Sequence, residues 1–442
     1  GYTIGASLHY PILEYKHRVF IRVESPGGKY IHPGRNWQIL FRLNPLNPSG
    51  LYSEEGELAP GETRRYTLSV RILKRASNQH PNEWLRTLEP YRRFFKSLYG
   101  EVRYQRDPRP MLGHVMAATM HLKPDNQLGF HPYQRYRADK YGFAPWADRF
   151  NRMRAAGWER GTLWAPSGMF YRYQAANYPF QFTSQWQRYP AMAQSVRELK
   201  SLSDRGFDLG LWWGRSGQVM TTWDTPNFQV LDPNNQEHRR LAFKELDGAA
   251  AAGAKTIGLD TFTHIPLWDA YPWLLEMESR CPEMKFVVEP AGCDVLHTIA
   301  ASYTLATTAE DQRPCQVMNP HFLADFLNPG HETWGAIHVG YIRESMGLPY
   351  NGDISPAQLQ REIVRYASMG YVANPFTDMS LTPPMDRYDA VESWRTTVPT
   401  GDQETYQPTA QESVTPPEDP RTTRINRIMK KIQEQPQRER RR

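Results

Sequence analysis

Lys255-Thr256-Ile257-Gly258-Leu259-Asp260-Thr261-Phe262 is a short apolar run that ends in a carboxylate, and a helical pattern from Gln236 to about Ala252 leads into it. A small apolar strand fed by an amphipathic helix is one βα unit of a parallel sheet. The same alternation recurs outward from about Leu112 to Thr377, with strands expected near Val115, Leu163, Leu209, Ile257, Val287, Tyr303, Ala324 and Val372. Helical spacing links Trp146, Phe150 and Met153, then Met192, Val196 and Leu199, then Leu359, Ile363 and Tyr366. Eight strands with crossover helices and no dinucleotide glycine fingerprint predict an α/β fold, a closed (β/α)8 TIM barrel over residues 111–388.

The flanks read differently. Runs such as Arg18-Val19-Phe20-Ile21-Arg22-Val23 and Arg65-Tyr66-Thr67-Leu68-Ser69-Val70-Arg71-Ile72 alternate apolar with polar residues between Pro-Gly and Asn-Pro turns. They predict part of a β-sandwich over residues 1–80, with Leu58 to Thr63 as the turn into its last strand. A helical linker is expected over 81–110. From 389 to 442 the composition shifts to Thr, Pro, Glu and Gln, which cannot bury enough surface to offset conformational entropy, so a disordered tail is expected. The chain opens on Gly1 inside the β-rich run with no Met and no signal peptide. A processed or cut N-terminus is the expectation, and it favours a secreted or periplasmic location.

Charge narrows the function classes. The net charge is +6, yet residues 421–442 alone hold nine Lys/Arg against two Glu, so the other 420 residues carry 44 basic and 45 acidic groups. A neutral body argues against nucleic acid as the partner of the main domain, and the tail supplies charge without interleaved aromatics. Its Ile425, Ile428 and Ile432 could line one side of a basic helix that docks on a protein partner. Cys281, Cys293 and Cys315 form no disulfide framework and show no zinc spacing. His114, His121, His264 and His331 are dispersed, so no metal or other cofactor is expected. No run of about 18 apolar residues is present to span a membrane.

Asp260 stands where barrel enzymes keep reacting groups, at the C-terminal end of a strand, although a helix-capping Asp would look the same. Before it come Arg205-Gly206-Phe207-Asp208-Leu209-Gly210-Leu211-Trp212-Trp213, then Leu231-Asp232-Pro233-Asn234-Asn235 and the helix. From about Gly113 to Asn374 this order resembles the α-galactosidase (melibiase) clan and its α-glucosidase-like relatives. There a G-φ-G-φ-W strand, a D-x-x-N/P turn and a helix lead to a φ-φ-K-x-D strand (φ is apolar) whose Asp is the nucleophile. The resemblance implies a retaining glycosidase acting on an α-linked glycan, with Asp260 as nucleophile and an acid/base at the end of the sixth strand. Tyr303 to Thr308 is read as that strand, which makes Glu310 and Asp311 the candidates. The chain departs from the clan at Trp212-Trp213-Gly214-Arg215-Ser216, where many members have W-F-E-P-E, and at Glu289-Pro290-Ala291-Gly292-Cys293-Asp294, where they have C-x-S-G-G. These departures point away from plain α-galactose.

Glu289 closes the expected fifth strand, as a sugar-hydroxyl contact or, with the strand count off by one, as the acid itself. Asp325, His331 and Glu332 are rival candidates for a binding loop at the expected seventh strand. Trp164, Trp212, Trp213 and Trp268 lie at or just past strand ends, where ring faces can stack on a sugar, although aromatic rings are more often core. Arg215 is a candidate for bidentate contact with a carboxylate-bearing or sulfated sugar. The competing reading keeps the barrel and drops the chemistry, leaving a glycan-binding or structural assembly subunit.

Overall fold

The structure is a computed structural model that describes residues 1–16, 20–24, 38–42, 60–74, 83–118, 121–131, 134–155, 157–169, 179–219, 229–289, 294–304, 321–339 and 356–378. Strands β1 (Tyr2–His9) and β4 (Thr67–Lys74) pair antiparallel, as do β2 (Phe20–Glu24) and β3 (Gln38–Arg42). Two separate ladders are therefore seen in the N-terminal region. The sandwich expected over 1–80 stays a proposal, because much of that span lies outside the described residues. The β1 ladder is seated on the linker: Gly5 has no room for a side chain against Thr87, and the His9 ring stacks on Phe94 at 5.0 Å. The linker helix Glu89–Tyr99 then reaches the next unit through Tyr91 Oη, which donates to Asp294 at 2.7 Å.

That unit is the expected barrel. Strands β5 (Leu112–Val115), β6 (Arg160–Trp164), β7 (Asp208–Trp213), β10 (Thr256–Leu259), β11 (Lys285–Val288), β12 (Ala301–Thr304), β13 (Thr333–Val339) and β14 (Val372–Asp378) run parallel and close on themselves. A two-residue ladder of β8 (Gln218–Val219) and β9 (Gln229–Val230) sits in the connection after β7. Seven of the eight expected strand positions fall on barrel strands. Ala324 does not, because it lies in the helix His321–Leu327, and the seventh strand is β13. A short apolar run such as Phe322-Leu323-Ala324 does not declare its period, so strand and helix look alike there. The tail 389–442 and its basic end lie outside the described residues.

Parallel barrel strands are buried on both faces and send alternate residues to opposite sides. Leu163, Leu209, Leu211, Trp213, Ile257, Leu259, Phe286 and Val288 share the large core that also holds helix residues such as Phe150, Leu199 and Leu246. Trp164, Trp212, Val287, Tyr303, Trp334 and Val372 belong to a second cluster, the barrel interior. The glycine in Ile257-Gly258-Leu259-Asp260 is explained by that interior. Gly258 sits opposite Trp212 in register, and a Cβ there would lie 1.8 Å from the indole.

The N-terminal end of the barrel is closed by charge. Fully buried Glu332 accepts hydrogen bonds from Lys285 Nζ and Trp334 Nε1, both at 2.6 Å, and from the Asp107 backbone N–H at 2.8 Å. Arg160, 2% exposed, lies 3.8 Å from the same carboxylate and donates to the carbonyls of Asp107 and Arg109. This layer plugs the barrel from below.

Candidate active site

The opposite, C-terminal end is assembled by strand parity. Gly258 faces the interior, so Asp260, two residues on, does as well, and Val287 likewise predicts an inward Glu289. The β10–β11 register pairs Leu259 with Val288, and the ladder continues as the Glu289 N–H donates to the Leu259 carbonyl at 3.0 Å. Asp260 and Glu289 therefore stand side by side on strands whose backbones are about 4.8 Å apart. Directly beneath them Trp164 and Trp212 stack with centroids 3.5 Å apart, and Tyr303 packs edgewise on Trp212 at 5.1 Å.

The two carboxyl groups are electrostatically unlike. Burial pushes the Glu289 carboxyl well above its usual range, and the neighbouring Asp260 charge pushes it further, against one hydrogen bond with the Trp212 side chain. Burial also raises Asp260, but there the Arg215 backbone N–H, the Arg215 charge and the Thr261 N–H all favour the ionised form. Two like charges at this spacing cannot both persist in a desolvated site. Burial and the Asp260 charge favour the protonated form at Glu289, whereas the Arg215 and Thr261 contacts favour the ionised form at Asp260.

A short loop after β7 is fastened to the Asp260 strand end. The Asp260 N–H donates to the Trp213 carbonyl at 3.1 Å, and the Asp260 carbonyl accepts from the Ser216 N–H at 3.0 Å and the Ser216 hydroxyl at 2.7 Å. Gly217 is required there, because a Cβ would lie 2.2 Å from the Thr261 carbonyl. The Arg215 N–H points at Asp260 Oδ2 from 3.4 Å, and its guanidinium donates to Gln218, whose amide is hydrogen-bonded to His264 Nδ1. Burial and the Arg215 charge hold His264 below its usual value, favouring the neutral ring. Three non-glycine residues adopt left-handed backbone just past strand ends: Ala165 (φ 49°), Arg215 (φ 62°) and Thr261 (φ 56°). Such conformations cost on the order of 1–3 kcal/mol each and persist where the surroundings over-determine them.

The expected site residues divide accordingly. Asp260, Glu289, Arg215 and Trp212 are brought together, with Trp164 underneath. Trp164 and Trp212 are 6% and 1% exposed, and each spends a ring face on the other, so they form the base of the site rather than open stacking platforms. Trp213 is corrected. It follows Trp212 by one residue, so it points outward, stacks on Phe182 and donates from Nε1 to the Phe180 carbonyl at 2.9 Å. Trp268 lies in the helix Leu267–Arg280, half-buried.

Asp325, His331 and Glu332 are also corrected. Asp325 is on the helix His321–Leu327, and its carboxylate accepts from the Gly330 N–H at 3.1 Å. His331 and Glu332 precede β13 and so sit at the N-terminal end, away from Asp260. There His331 bonds Tyr104 Oη and Ser302 Oγ, both at 2.9 Å, and stacks on His297. Glu310 and Asp311 lie outside the described residues.

Ser216, Gln218 and Thr261 join the site without having been expected there. Their signal in the sequence is local: a strand end followed by a polar pair between two glycines, Gly214-Arg215-Ser216-Gly217. A cleft of about 850 Å³ opens at the N-terminal end, lined by residues that include Arg103, Arg109, Lys255 and Lys285. Its charges are largely paired, Arg103 with Glu278, Arg109 with Asp107 and Asp208, and Lys285 with Glu332. It belongs to the floor rather than to the carboxylate pair. Among the described residues no group of three or more His, Cys, Asp or Glu is placed to hold a metal ion, and no helix is long and apolar enough to cross a membrane.

No family model matches the chain, and no curated protein matches it. Solved structures that it resembles are carbohydrate-active enzymes. The α-galactosidase from Thermus thermophilus in complex with stachyose is 12% identical over 76% of this chain and 72% of that one, with a TM-score of 0.43. The cyclic α-maltosyl-(1→6)-maltose hydrolase from Arthrobacter globiformis is 12% identical over 65% and 81%, at 0.40. The glycoside hydrolase domain of a PelA variant from Pseudomonas aeruginosa is 14% identical over 41% and 83%, at 0.28. Superpositions this loose assign no role to any residue, and the barrel rests on the chain's own strand order.

Proposed function

We propose that the chain is a glycosidase that cleaves an α-linked glycan by a retaining, two-carboxylate mechanism, with Asp260 as nucleophile and Glu289 as acid/base. The observation that carries this reading is the neighbouring pair itself: two inward carboxyl groups in adjacent register positions, in unlike surroundings. Retaining glycosidases need carboxyl groups about 5–5.5 Å apart, one ionised and one protonated. The register supports the first requirement and the unequal surroundings support the second.

In this mechanism protonated Glu289 gives its proton to the glycosidic oxygen as that C–O bond breaks, while an Asp260 carboxylate oxygen bonds to the anomeric carbon. Glu289, now ionised, takes a proton from water, the resulting hydroxide displaces Asp260 from the sugar, and the resting protonation returns. Ser216 and the Arg215 N–H orient Asp260, and Trp212 orients Glu289. Glu310 and Asp311 are the rival acids implied by the resemblance.

Aryl α- and β-glycosides assayed with the wild type and with Asp260→Asn test the proposal. Cleavage that disappears in the variant supports it. Sugar binding with no cleavage in either protein would instead favour the glycan-binding barrel.

A further inference from the structure

Thr261, the residue directly after Asp260, carries two costs. A β-branched side chain resists the left-handed region, yet Thr261 sits there at φ 56°. Its hydroxyl oxygen is also buried with no hydrogen-bond partner among the described residues. Outliers of this kind persist where the surroundings over-determine them, and they cluster at functional sites.

The Thr261 N–H is spent on the Asp260 carboxylate. Arg215 repeats the arrangement from the neighbouring strand end: left-handed at φ 62°, it points its backbone N–H at Asp260 Oδ2 from 3.4 Å. Neither amide can drift far. The Asp260 carbonyl between them is held by the Ser216 N–H at 3.0 Å and the Ser216 hydroxyl at 2.7 Å, and Gly217 is pressed against the Thr261 carbonyl. Both donors are backbone groups, so they act whatever the Arg215 guanidinium is bonded to.

We propose that Thr261 is a positioning residue, whose N–H forms with that of Arg215 a two-amide cradle that fixes the Asp260 carboxylate for attack and receives its charge again when the sugar departs. Backbone dipoles locked in this way need no reorganisation as charge moves. In the first step an Asp260 oxygen bonds to the anomeric carbon as the glycosidic C–O bond breaks, and the cradle gives up part of the anion it held. In the second, the oxygen of water bonds to that carbon, the carboxylate leaves with its electron pair, and the amides stabilise the returning charge. No proton passes through the cradle. This inference rests on Asp260 being the nucleophile.

Replacing Thr261 by its α-hydroxy analogue turns one amide into an ester, which removes the N–H and leaves every side chain in place. Glu289 and the Arg215 charge, which also act on this carboxyl, are unchanged. Loss of a donor to the ionised form makes Asp260 hold its proton to higher pH. In protein carrying 13C-carboxyl aspartate, the Asp260 signal, identified by its absence from Asp260→Asn, should titrate about one pH unit higher than in wild type, the lower span of a hydrogen bond to a charged group. The acid limb of kcat/KM on aryl glycosides should move up with it, and kcat should fall about 10-fold. Thr261→Gly keeps the amide and accepts left-handed backbone, so its Asp260 should titrate as in wild type. Ser216→Ala loosens the Asp260 carbonyl, as the ester also does, and should shift the titration by less than the ester. An unshifted titration in the ester, or an equal shift in Thr261→Gly or Ser216→Ala, would overturn the cradle.

The carboxyl titration needs no substrate, which separates this inference from the reading beneath it. A shifted titration in a protein that cleaves no glycoside, or whose Asp260→Asn variant still cleaves, would keep the amide contacts and remove the nucleophile. Cleavage abolished by Asp260→Asn, with an unshifted ester, would keep the nucleophile and remove the cradle.

Discussion

The two ends of the barrel are both charged, yet they treat charge in opposite ways. At the N-terminal end Glu332 meets Lys285, Arg160, the Trp334 indole N–H and the Asp107 backbone N–H, so a fully buried carboxylate is compensated on every side. At the C-terminal end Glu289 is raised first by burial and then by a neighbouring carboxylate, with the Trp212 side chain as its hydrogen-bond partner. The floor spends its charges on cohesion. The mouth brings two like carboxyl groups together with left-handed backbone around them, an arrangement that costs stability.

The largest expected effect falls at the mouth. On the proposed mechanism, Asp260→Asn removes the nucleophilic charge with almost no change in volume, so kcat on a glycoside substrate should fall by about 10⁴-fold or more while the melting temperature holds or rises. Activity near wild type would end the assignment of Asp260.

Glu289→Gln should separate function from stability. On the proposed mechanism, loss of the general acid should cost about 10²–10⁴-fold in kcat. The folded protein holds the Glu289 proton more tightly than the unfolded chain, so above the ordinary carboxyl range around pH 4.5 this group makes stability fall as pH rises. Gln removes that cost, and the variant should melt higher than wild type at pH 7, by about 2–4 °C for each kcal/mol regained in a domain of this size. Thermal scans at pH 5 and pH 7 check the sign, because the gain should shrink at the lower pH.

Glu332→Gln probes the floor and should show the reverse pattern. It leaves Lys285 and Arg160 beside a neutral group, and breaking a buried ion pair costs about 3–5 kcal/mol. Melting should drop by about 10 °C, with kcat per folded molecule within about twofold of wild type. A kcat loss as large as that of Glu289→Gln would mean that the two ends are not separate in function.

The smallest effect concerns histidine. Burial, with added cationic neighbours, lowers His131 near the mouth and His321 near the floor to about 3. At pH between these values and about 6.5 the unfolded chain binds more protons than the folded one, so stability falls as pH is lowered through that window. Denaturant titrations at pH 7, 5.5 and 4.5 in the Glu289→Gln background, which removes the opposing carboxyl contribution, should show a declining midpoint. His131→Gln and His321→Gln should each make the decline shallower, and an unchanged slope in both would show that other groups govern acid unfolding.

Much of the fold is legible in the sequence because periodicity survives without a partner. The helices carrying Trp146, Phe150 and Met153, or Leu359, Ile363 and Tyr366, announce a buried stripe, and the β10 run announces a strand closed by a carboxylate. The seventh strand is the exception, because Phe322-Leu323-Ala324 is too short to show a period. The run that does form the strand, Thr333-Trp334-Gly335-Ala336-Ile337, follows it by only a few residues and competes with it for the same place in the alternation.

The sequence by itself determined the alternation of strands and helices, hence a barrel, and placed Asp260 and Glu289 at strand ends, since these follow from spacing along one chain. Only the tertiary structure decided which strand ends share a mouth and which residues face it. Register set Asp260 beside Glu289, parity turned Trp212 inward and Trp213 outward, and the direction of β13 sent His331 and Glu332 to the far end. Those outcomes depend on which strands are neighbours and on where each strand begins, and both are fixed by closing the sheet on itself, a condition on all eight strands at once.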